Sequence, residues 1–374
     1  MNQLLRMLLL SCLGMVLFHG FKPVSNAYAE EAENVPEISK TVGYDKGFYI
    51  VSPDERFKLT MGGYIQGLFL GEIVEGGSDV DTFRVRRARL KFSGHLYSKN
   101  IKYQLEYDFA GNKLLTTYLK LVHSDPLRVT VGQFKVPFNV EGISSGSTLQ
   151  FVDRSLVHAF FGIKDERETG LELSGDLMEK KFEYAVAALN GEGINTLNEN
   201  NELRYVGRLV YNAMGHHGYE FSDTKQSEEP NIAFGIAGMY NDTPNSDATA
   251  ENKVTSLTAD ASLKYLGLGA HGGFFYQKTN PDGAGGNDND YGLLSQIGYF
   301  VMPKTLEVGA RYARVFADSG SDQTEYTGGL NYYIHAGHRV KLQLDYSVLV
   351  GEDGISAGDD QVNHRVRAQL QVKI

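Results

Sequence analysis

The 374-residue sequence has almost no cysteine: the single one, Cys12, lies near the amino terminus. Arg6 precedes an apolar run over residues 7–18, and the small residues Ala27 and Ala29 follow at the spacing that a signal peptidase inspects. This layout is typical of a secretory signal peptide cleaved after Ala29. Because cleavage removes Cys12, the exported protein cannot form a disulfide, and its stability must come from a large hydrogen-bonded framework.

Long hydrophobic stretches are also missing after the predicted signal peptide. No later run approaches the ~20 apolar residues of a membrane-spanning helix. The composition is instead rich in glycine (42 residues), tyrosine (22) and phenylalanine (20), with 9 prolines. A closed β-barrel is the other structure that pairs every backbone polar group inside a bilayer, and its strands need only alternate apolar residues. The composition therefore favours an all-β protein that crosses a membrane with strands.

The sequence lacks the usual patterns of enzyme, metal and nucleotide sites. It has no HExxH, no CxxC, no phosphate-cradling glycine-rich loop, and no Gly-x-Ser-x-Gly in a strand–turn–helix setting. Its 10 histidines are scattered, and its formal net charge of −10 argues against binding to nucleic acid. We expect no catalytic residues, no bound metal, no cofactor and no nucleic-acid partner.

The mature chain does contain a long pattern of alternating side chains, from about Phe57 to Ile374. In its last segment, Val366, Ala368 and Leu370 alternate with Arg365 and Arg367. A period of two is the signature of a β-strand. Counting such segments predicts an antiparallel barrel of about sixteen strands, an even number as in bacterial single-chain barrels. The predicted strands begin near Phe57, Phe83, Ile101, Leu114, Leu127, Glu168, Phe182, Leu203, Asn231, Lys253, Leu266, Tyr291, Leu306, Thr324, Arg339 and Asn363.

The chain accordingly divides into a signal peptide (residues 1–29), a short acidic periplasmic segment (30–56) and a transmembrane barrel (57–374). Tight turns are predicted at residues 98–100 and 336–337. Longer connections, rich in Gly, Asn and Asp, are predicted at residues 212–230, 241–252, 281–290 and 351–361. We expect the long connections on one rim and the short ones on the periplasmic rim. A secreted soluble β-sandwich or propeller would show the same alternation and is the alternative architecture.

The densest basic run in the chain comprises Arg84, Arg86, Arg87, Arg89 and Lys91. The alternation slips between Arg86 and Arg87, which predicts a β-bulge that turns both guanidinium groups toward one side. Guanidinium groups bind oxyanions through paired donors and stay charged at any working pH. We therefore predict that Arg84, Arg86, Arg87 and Arg89 line a pore and bind anions. Ion pairing with loop acids such as Asp153, Glu166 or Glu168 is the alternative.

Several short blocks, in a fixed order, resemble the phosphate-selective porin O and P family. They are FRVRRARL at residues 83–90, GQFKVPF at 132–138, VDRSL at 152–156, RETGL at 167–171 and LRYVGR at 203–208. The resemblance covers most of the mature chain and is clearest in its first half. It implies a sixteen-stranded barrel, assembled as a homotrimer, whose third loop (residues 135–167) folds inward to narrow the pore.

The resemblance adds a second set of candidate anion-binding residues on that loop: Lys135, Ser144, Ser145 and Arg154. Anchoring of the loop against the barrel wall is the alternative role for this set. Together, the pattern and the resemblance predict a porin in the outer membrane of a Gram-negative bacterium, embedded in its lipid. It would be a water-filled diffusion channel for small hydrophilic solutes, with small anions such as phosphate as partners. A plugged structural or adhesive barrel and a secreted β-fold binding protein are the alternatives.

Overall fold

The part of the chain that the structure describes has eighteen strands, and sixteen of them, β3 to β18 in the list below, form one closed antiparallel barrel. The fold is that of a computed structural model that describes residues 41–198, 202–244, 251–281, 286–335, 337–351 and 361–374. The predicted signal peptide and residues 30–40 lie outside these ranges. The strands are β1 (Val42–Tyr44), β2 (Phe48–Val51), β3 (Lys58–Ile73), β4 (Val80–His95), β5 (Ile101–Asp108), β6 (Lys113–Ser124), β7 (Leu127–Lys135), β8 (Arg167–Leu177), β9 (Phe182–Leu189), β10 (Arg204–Met214), β11 (Asn231–Pro244), β12 (Glu251–Tyr265), β13 (Leu268–Pro281), β14 (Asp288–Met302), β15 (Leu306–Phe316), β16 (Gln323–His335), β17 (Val340–Gly351) and β18 (Gln361–Lys373).

The barrel closes where the last strand pairs with the first. Each strand from β3 to β17 pairs with the strand that follows it in sequence, and residues 364–373 of β18 pair with β3. Closure leaves no unpaired sheet edge, as hydrocarbon requires of a membrane-spanning sheet. All sixteen predicted strands are present and start within a few residues of their predicted positions, so the predicted all-β barrel is confirmed. Ahead of the barrel, β1 and β2 form a hairpin that extends the sheet beside β3.

The outer face of the barrel is apolar and exposed. Phe83 is 80% exposed, Ile65 60% and Ile236 59%. The neighbours of Ile65 and Ile236 along their strands are buried: Tyr64 and Gln66, and Gly235 and Ala237. Such a surface is unfavourable in water but suits the hydrocarbon of a bilayer. Within the described ranges, no helix combines the length and apolar character needed to cross a bilayer.

One long connection lies on the opposite rim from the one predicted. The connections at residues 96–100, 125–126, 178–181 and 266–267 are short and lie together on one rim, here called the short-turn rim. The β10–β11 turn (residues 215–230) lies on this rim as well, because β10 ends beside the start of β9. The prediction that residues 212–230 join the other long connections was therefore wrong. Connections alternate between rims, so the strand count and not the length of a connection decides its rim.

The inner face is polar over most of its area but carries two apolar patches. The first comprises Ala187, Leu189, Val206, Ala237 and Met239 on β9–β11, and the second comprises Phe275, Leu294, Ala313 and Val315 on β13–β15. Residues from the connection between β7 and β8 cover both patches. The inward rows are therefore apolar, and not polar, at these two places. Apolar side chains face inward there because other protein side chains, rather than water, lie against them.

The outward orientation of Ile236 can be tested by placing a charge there. We expect Ile236→Arg to lower the free energy of unfolding by about 2–4 kcal/mol if the residue lies near the bilayer midplane, because a guanidinium is poorly solvated in hydrocarbon. Equilibrium unfolding in lipid vesicles measures the difference. The control, Ile236→Val, should cost about 0.5–1.5 kcal/mol. Equal stability of the arginine variant and the wild type would contradict a lipid-facing position.

Candidate functional site

A bulge in β4 brings two consecutive arginines to the same side of the sheet. Gln66 of β3 pairs with Arg87 and Gly67 pairs with Val85, which leaves Arg86 as the extra residue. Both guanidinium groups reach one carboxylate. Arg86 Nη2 lies 2.7 Å from Asp153 Oδ2, and Arg87 Nη2 lies 3.2 Å from Asp153 Oδ1. The predicted bulge is confirmed. Arg86 and Arg87 also form the ion pairs with Asp153 that were the alternative to anion binding.

The other two arginines of the basic run have different surroundings. Arg89 Nε lies 2.9 Å from Asp108 Oδ2, and Arg89 Nη1 lies 3.5 Å from Glu106 Oε1. Arg84 pairs in register with the inward residue Leu68, yet it is exposed and lies outside the cavity described below. The basic run therefore contributes three arginines, rather than four, to that cavity.

The connection between β7 and β8, here called the β7–β8 segment (residues 136–166), accepts hydrogen bonds from four barrel strands: β3, β10, β15 and β17. It contains two short helices, α1 (Val140–Ile143) and α2 (Leu156–Phe161), capped by Asn139 and Ser155. The carbonyl of Gly146 accepts a hydrogen bond from Gln66 of β3 (3.0 Å), and that of Leu149 accepts one from Lys341 of β17 (2.9 Å). The carbonyls of Phe138 and Asp153 accept from Arg208 of β10 and Arg311 of β15.

Hydrogen bonds to nearby protein groups use the polar atoms of three residues of the second predicted set: Lys135, Ser144 and Ser145. Lys135 Nζ donates to the carbonyls of Gly142, Ile143 and Ser144, which accounts for all three of its donors. Ser144 Oγ lies 2.7 Å from the carbonyl oxygens of both Val140 and Tyr219, which share its single hydroxyl donor, and Ser145 Oγ bonds to Ser147 Oγ. For Lys135 and Ser144 this is the anchoring arrangement that was the alternative to anion binding.

Arg154 also anchors the segment, but it reaches the cavity as well. Its Nη1 lies 2.5 Å from Glu166 Oε1, and its Nε donates to the carbonyl of Glu141 over 2.7 Å. Glu166 in turn pairs with Arg167 (3.1 Å), which joins the end of the segment to the start of β8. Arg154 and Glu166 both line the cavity.

A cavity of about 970 Å³ lies between the β7–β8 segment and the arginines of β4. Seven basic and four acidic side chains line it. Four carboxylates outside this lining pair with three of the basic residues: Glu106 and Asp108 with Arg89, Glu72 with Arg365, and Asp345 with Arg367. The basic residues are Arg86, Arg87, Arg89, Arg154, Lys164, Arg365 and Arg367, and the acidic ones are Asp153, Asp165, Glu166 and Glu325. Within the described ranges, no group of three or more His, Cys, Asp or Glu residues is arranged to hold a metal ion.

Three of these basic residues, Lys164, Arg365 and Arg367, were absent from the predicted site. Lys164 belongs to the β7–β8 segment. Arg365 and Arg367 occupy successive inward positions of β18, and closure of the barrel brings them beside β3 and β4. Arg365 Nη2 lies 2.5 Å from Glu72 Oε1, and Arg367 Nε lies 2.6 Å from Asp345 Oδ1. The polar row of the last strand contained them. Nothing in the sequence alone, however, shows that the two ends of the chain meet at this site.

The carboxylates of the β7–β8 segment are held in their charged form. Burial alone would raise the pKa of Asp153, but Arg87 and Arg86 outweigh it and hold the pKa below its ordinary value. Burial likewise opposes ionisation of Glu166, and Arg154 and Lys135 hold its pKa below its ordinary value. Burial and the nearby Arg154 lower the pKa of His158 to about 3, so His158 is neutral at physiological pH. At neutral pH, His158 therefore adds no charge to the cavity, while Asp153 and Glu166 are ionised.

A family model describes most of the chain. The model for the phosphate-selective porin O and P family matches residues 72–374. The chain belongs to this family. It is therefore a porin of the Gram-negative outer membrane, and its family and fold are those of a channel rather than an enzyme. No curated protein matches it by sequence.

Solved structures of other outer-membrane channels share the fold. An anion-selective porin from Comamonas acidovorans is 13% identical, with a TM-score of 0.62 over 84% of this chain and 99% of that one. The outer membrane channel DcaP of Acinetobacter baumannii is also 13% identical, with a TM-score of 0.61 over 87% and 99% of the two chains. OmpT of Vibrio cholerae in its trimer form is 12% identical, with a TM-score of 0.56 over 84% and 99%. At these identities the likeness establishes the barrel fold.

The ion pairs of Glu166 should make it important for stability. We expect Glu166→Gln to lower the free energy of unfolding at pH 7 by about 3 kcal/mol or more, because it leaves Arg154 without its buried carboxylate and removes one of the two carboxylates that pair with Arg167. Since the folded-state pKa of Glu166 is depressed, its contribution is present above the unfolded value of about 4.3 and is lost as the pH falls below it. The difference between variant and wild type should therefore shrink on acidification.

Asp165 provides the matched control for this measurement. It pairs with the half-exposed Lys113 over 3.0 Å, so Asp165→Asn should cost less than about 1 kcal/mol. Denaturant titrations of both variants at pH 7 and at acidic pH make the comparison. Equal losses in the two variants, or a Glu166→Gln loss that does not change with pH, would contradict the assigned ion pairs.

Proposed function

We propose that this porin prefers anions over cations, and that Arg86, Arg87, Arg89, Arg154, Arg365 and Arg367 form the site that gives the preference. The observation that carries the proposal is that seven basic side chains, against four acidic ones, line the 970 Å³ cavity. A cluster of one charge sign in a low-dielectric channel raises the local concentration of the opposite ion. The fold shared with the anion-selective porin from Comamonas acidovorans supports the same preference.

Oxyanions such as phosphate are the solutes that this site suits best. Arg86 and Arg365 each keep about 30% of the side chain exposed, although each already has a carboxylate partner. A guanidinium has five donors in a planar fork, so a paired arginine still has donors for a second oxyanion. Several such forks around one cavity could hold the oxygens of a tetrahedral anion together. Phosphate should therefore bind more tightly than chloride.

The β7–β8 segment is proposed to narrow the pore at this site. Its hydrogen bonds with β3, β10, β15 and β17 support a position across the interior of the barrel. In this arrangement the segment is positioned by Lys135, Ser144 and Ser145. Its charged side chains Asp153 and Arg154 line the cavity. Solutes would then pass between the segment and the arginines of β4 and β18.

The assembly and export of the porin are proposed as well. Residues 1–29 would direct export and be removed, and residues 30–56 would lie on the periplasmic side of the barrel, which is embedded in outer-membrane lipid. We propose a homotrimer with one pore in each subunit. The trimer form of the similarly folded OmpT of Vibrio cholerae supports this assembly.

Removal of the two bulge arginines should weaken the anion preference. We expect the variant with Arg86→Ala and Arg87→Ala to lower the chloride-to-potassium permeability ratio by at least about threefold, since two positive charges leave the cavity. Reversal potentials across a potassium chloride gradient in planar bilayers measure the ratio. Arg84→Ala is the control, because Arg84 lies on the same strand but outside the cavity, and its ratio should stay near that of the wild type. An unchanged ratio in the double variant would remove these residues from the selectivity role.

Removal of Asp153 should act in the opposite direction. Its carboxylate pairs with both bulge arginines, so Asp153→Asn adds a net positive charge to the cavity and frees guanidinium donors. We expect a higher chloride-to-potassium ratio and tighter block of the chloride current by added phosphate. A fall in the ratio would show that Asp153 supports the arginines in anion passage and does not compete with the solute.

A further inference from the structure

The β10–β11 turn is long and buried, unlike the other connections described on the short-turn rim. Its neighbours on that rim, residues 125–126, 178–181 and 266–267, contain two to four residues each, whereas this turn spans residues 215–230. Phe221 is 3% exposed, and Ser222 and Asp223 are 1% exposed. A connection at the edge of a barrel is normally solvated. Burial of its middle means that the turn packs against other parts of the protein.

One of its contacts is with a buried carboxylate on the inner wall of the barrel. Ser222 Oγ donates to Glu307 Oε2 of β15 over 2.9 Å, and Tyr333 of β16 donates to the same oxygen over 2.7 Å. Glu307 Oε1 accepts from Gln150 Nε2 of the β7–β8 segment over 2.8 Å. A single side chain therefore connects the turn, which enters from the short-turn rim, with the segment, which starts from the opposite rim.

The turn and the segment also touch each other directly. Ser144 Oγ of the segment donates to the carbonyl of Tyr219 over 2.7 Å. Phe221 packs with Val140 and Leu149 of the segment in one buried apolar cluster, and Tyr219 lies against that cluster. The β10–β11 turn and the β7–β8 segment start at opposite rims, so their direct contact requires that they meet inside the barrel.

A third connection runs through β10. Arg208 Nη1 donates to the carbonyl of Phe138 over 3.0 Å and pairs with Asp260 over 2.8 Å. Tyr219 of the turn lies near the same guanidinium. Arg208 and Glu307 thus hold the two inner elements from two different parts of the wall, β10 and β15.

We propose that residues 217–223 form a second pore-narrowing element, which fills the β10–β16 side of the barrel from the short-turn rim and limits the size of solutes. Water and solute would be restricted to the opposite wall. There, a cavity of about 240 Å³ is lined by polar side chains of β5–β8, among them Gln104, Glu106, Tyr118 and Lys120. Ion pairs of Glu106 with Arg89 and with Arg167 connect this cavity to the arginine site.

The proposal rests on the channel activity of the porin and not on its preference for anions. A narrower channel conducts less and excludes larger solutes whatever the sign of its charge. Conductance and solute size therefore test the turn, while reversal potentials test the arginines. The two can fail independently.

Shortening the turn is the direct experiment. Residues 215–230 would be replaced by Asn-Gly, the sequence preferred in a two-residue hairpin turn. We expect the single-channel conductance in potassium chloride to rise by at least about twofold, because an obstruction is removed from the pore. In liposome-swelling assays, sugars larger than those accepted by the wild type should enter. The control is deletion of residues 76–78, an exposed connection on the opposite rim, which should change neither quantity.

A second variant keeps the experiment decisive if the shortened protein does not fold. Phe221→Ala with Ser222→Ala retains the chain length but removes the ring and the hydroxyl that hold the turn against Val140 and Glu307. We expect a smaller rise in conductance and larger current fluctuations. If the shortened variant conducts and the wild type does not, the turn closes the wild-type pore, and this result would also support the proposal. Unchanged conductance and an unchanged sugar limit in a folded variant would overturn it.

Discussion

The pairing of β18 with β3 is the interaction on which the rest of the structure depends. A bilayer offers no water to an open sheet edge, so the chain must return to its first barrel strand. Closure satisfies the backbone and also joins the two ends of the sequence. It places Arg365 and Arg367 beside Arg86 and Arg87, which lie almost 280 residues earlier. The arginine site is therefore a product of barrel closure, and loss of the last strand would remove part of the site together with the fold.

The β7–β8 segment is fixed to the barrel wall by two apolar patches, where Phe138 and Val157 cover inward-facing side chains. Charged residues of the segment lie between these two contacts. Asp153 and Glu166 remain ionised there because arginines outweigh their burial. Apolar contacts thus fix the position of the segment, and the ion pairs decide which charges remain next to the cavity.

Much of this fold could be predicted from the sequence, because a period of two is a local property that survives without any tertiary information. The slip between Arg86 and Arg87 is local in the same sense, and it correctly indicated the bulge. The inward apolar residues Val206 and Leu294 could not be recognised, since their partners lie on the distant β7–β8 segment. Arg365 and Arg367 were visible as a polar row, but their place in the site follows only from closure. The rim of the β10–β11 turn, in contrast, could have been predicted by counting barrel strands from β3. The turn follows β10, which is the eighth of the sixteen, and every second barrel strand ends at the short-turn rim.

The arginines around the cavity are proposed to make the channel of the native protein selective for anions. The most direct measurement is the sign of the zero-current potential of the purified wild-type porin in a planar bilayer that separates concentrated from dilute potassium chloride. We expect a potential whose sign corresponds to faster passage of chloride. A potential of the opposite sign, corresponding to faster passage of potassium, would show that acidic residues determine the ion preference and would contradict the proposed role of the arginines.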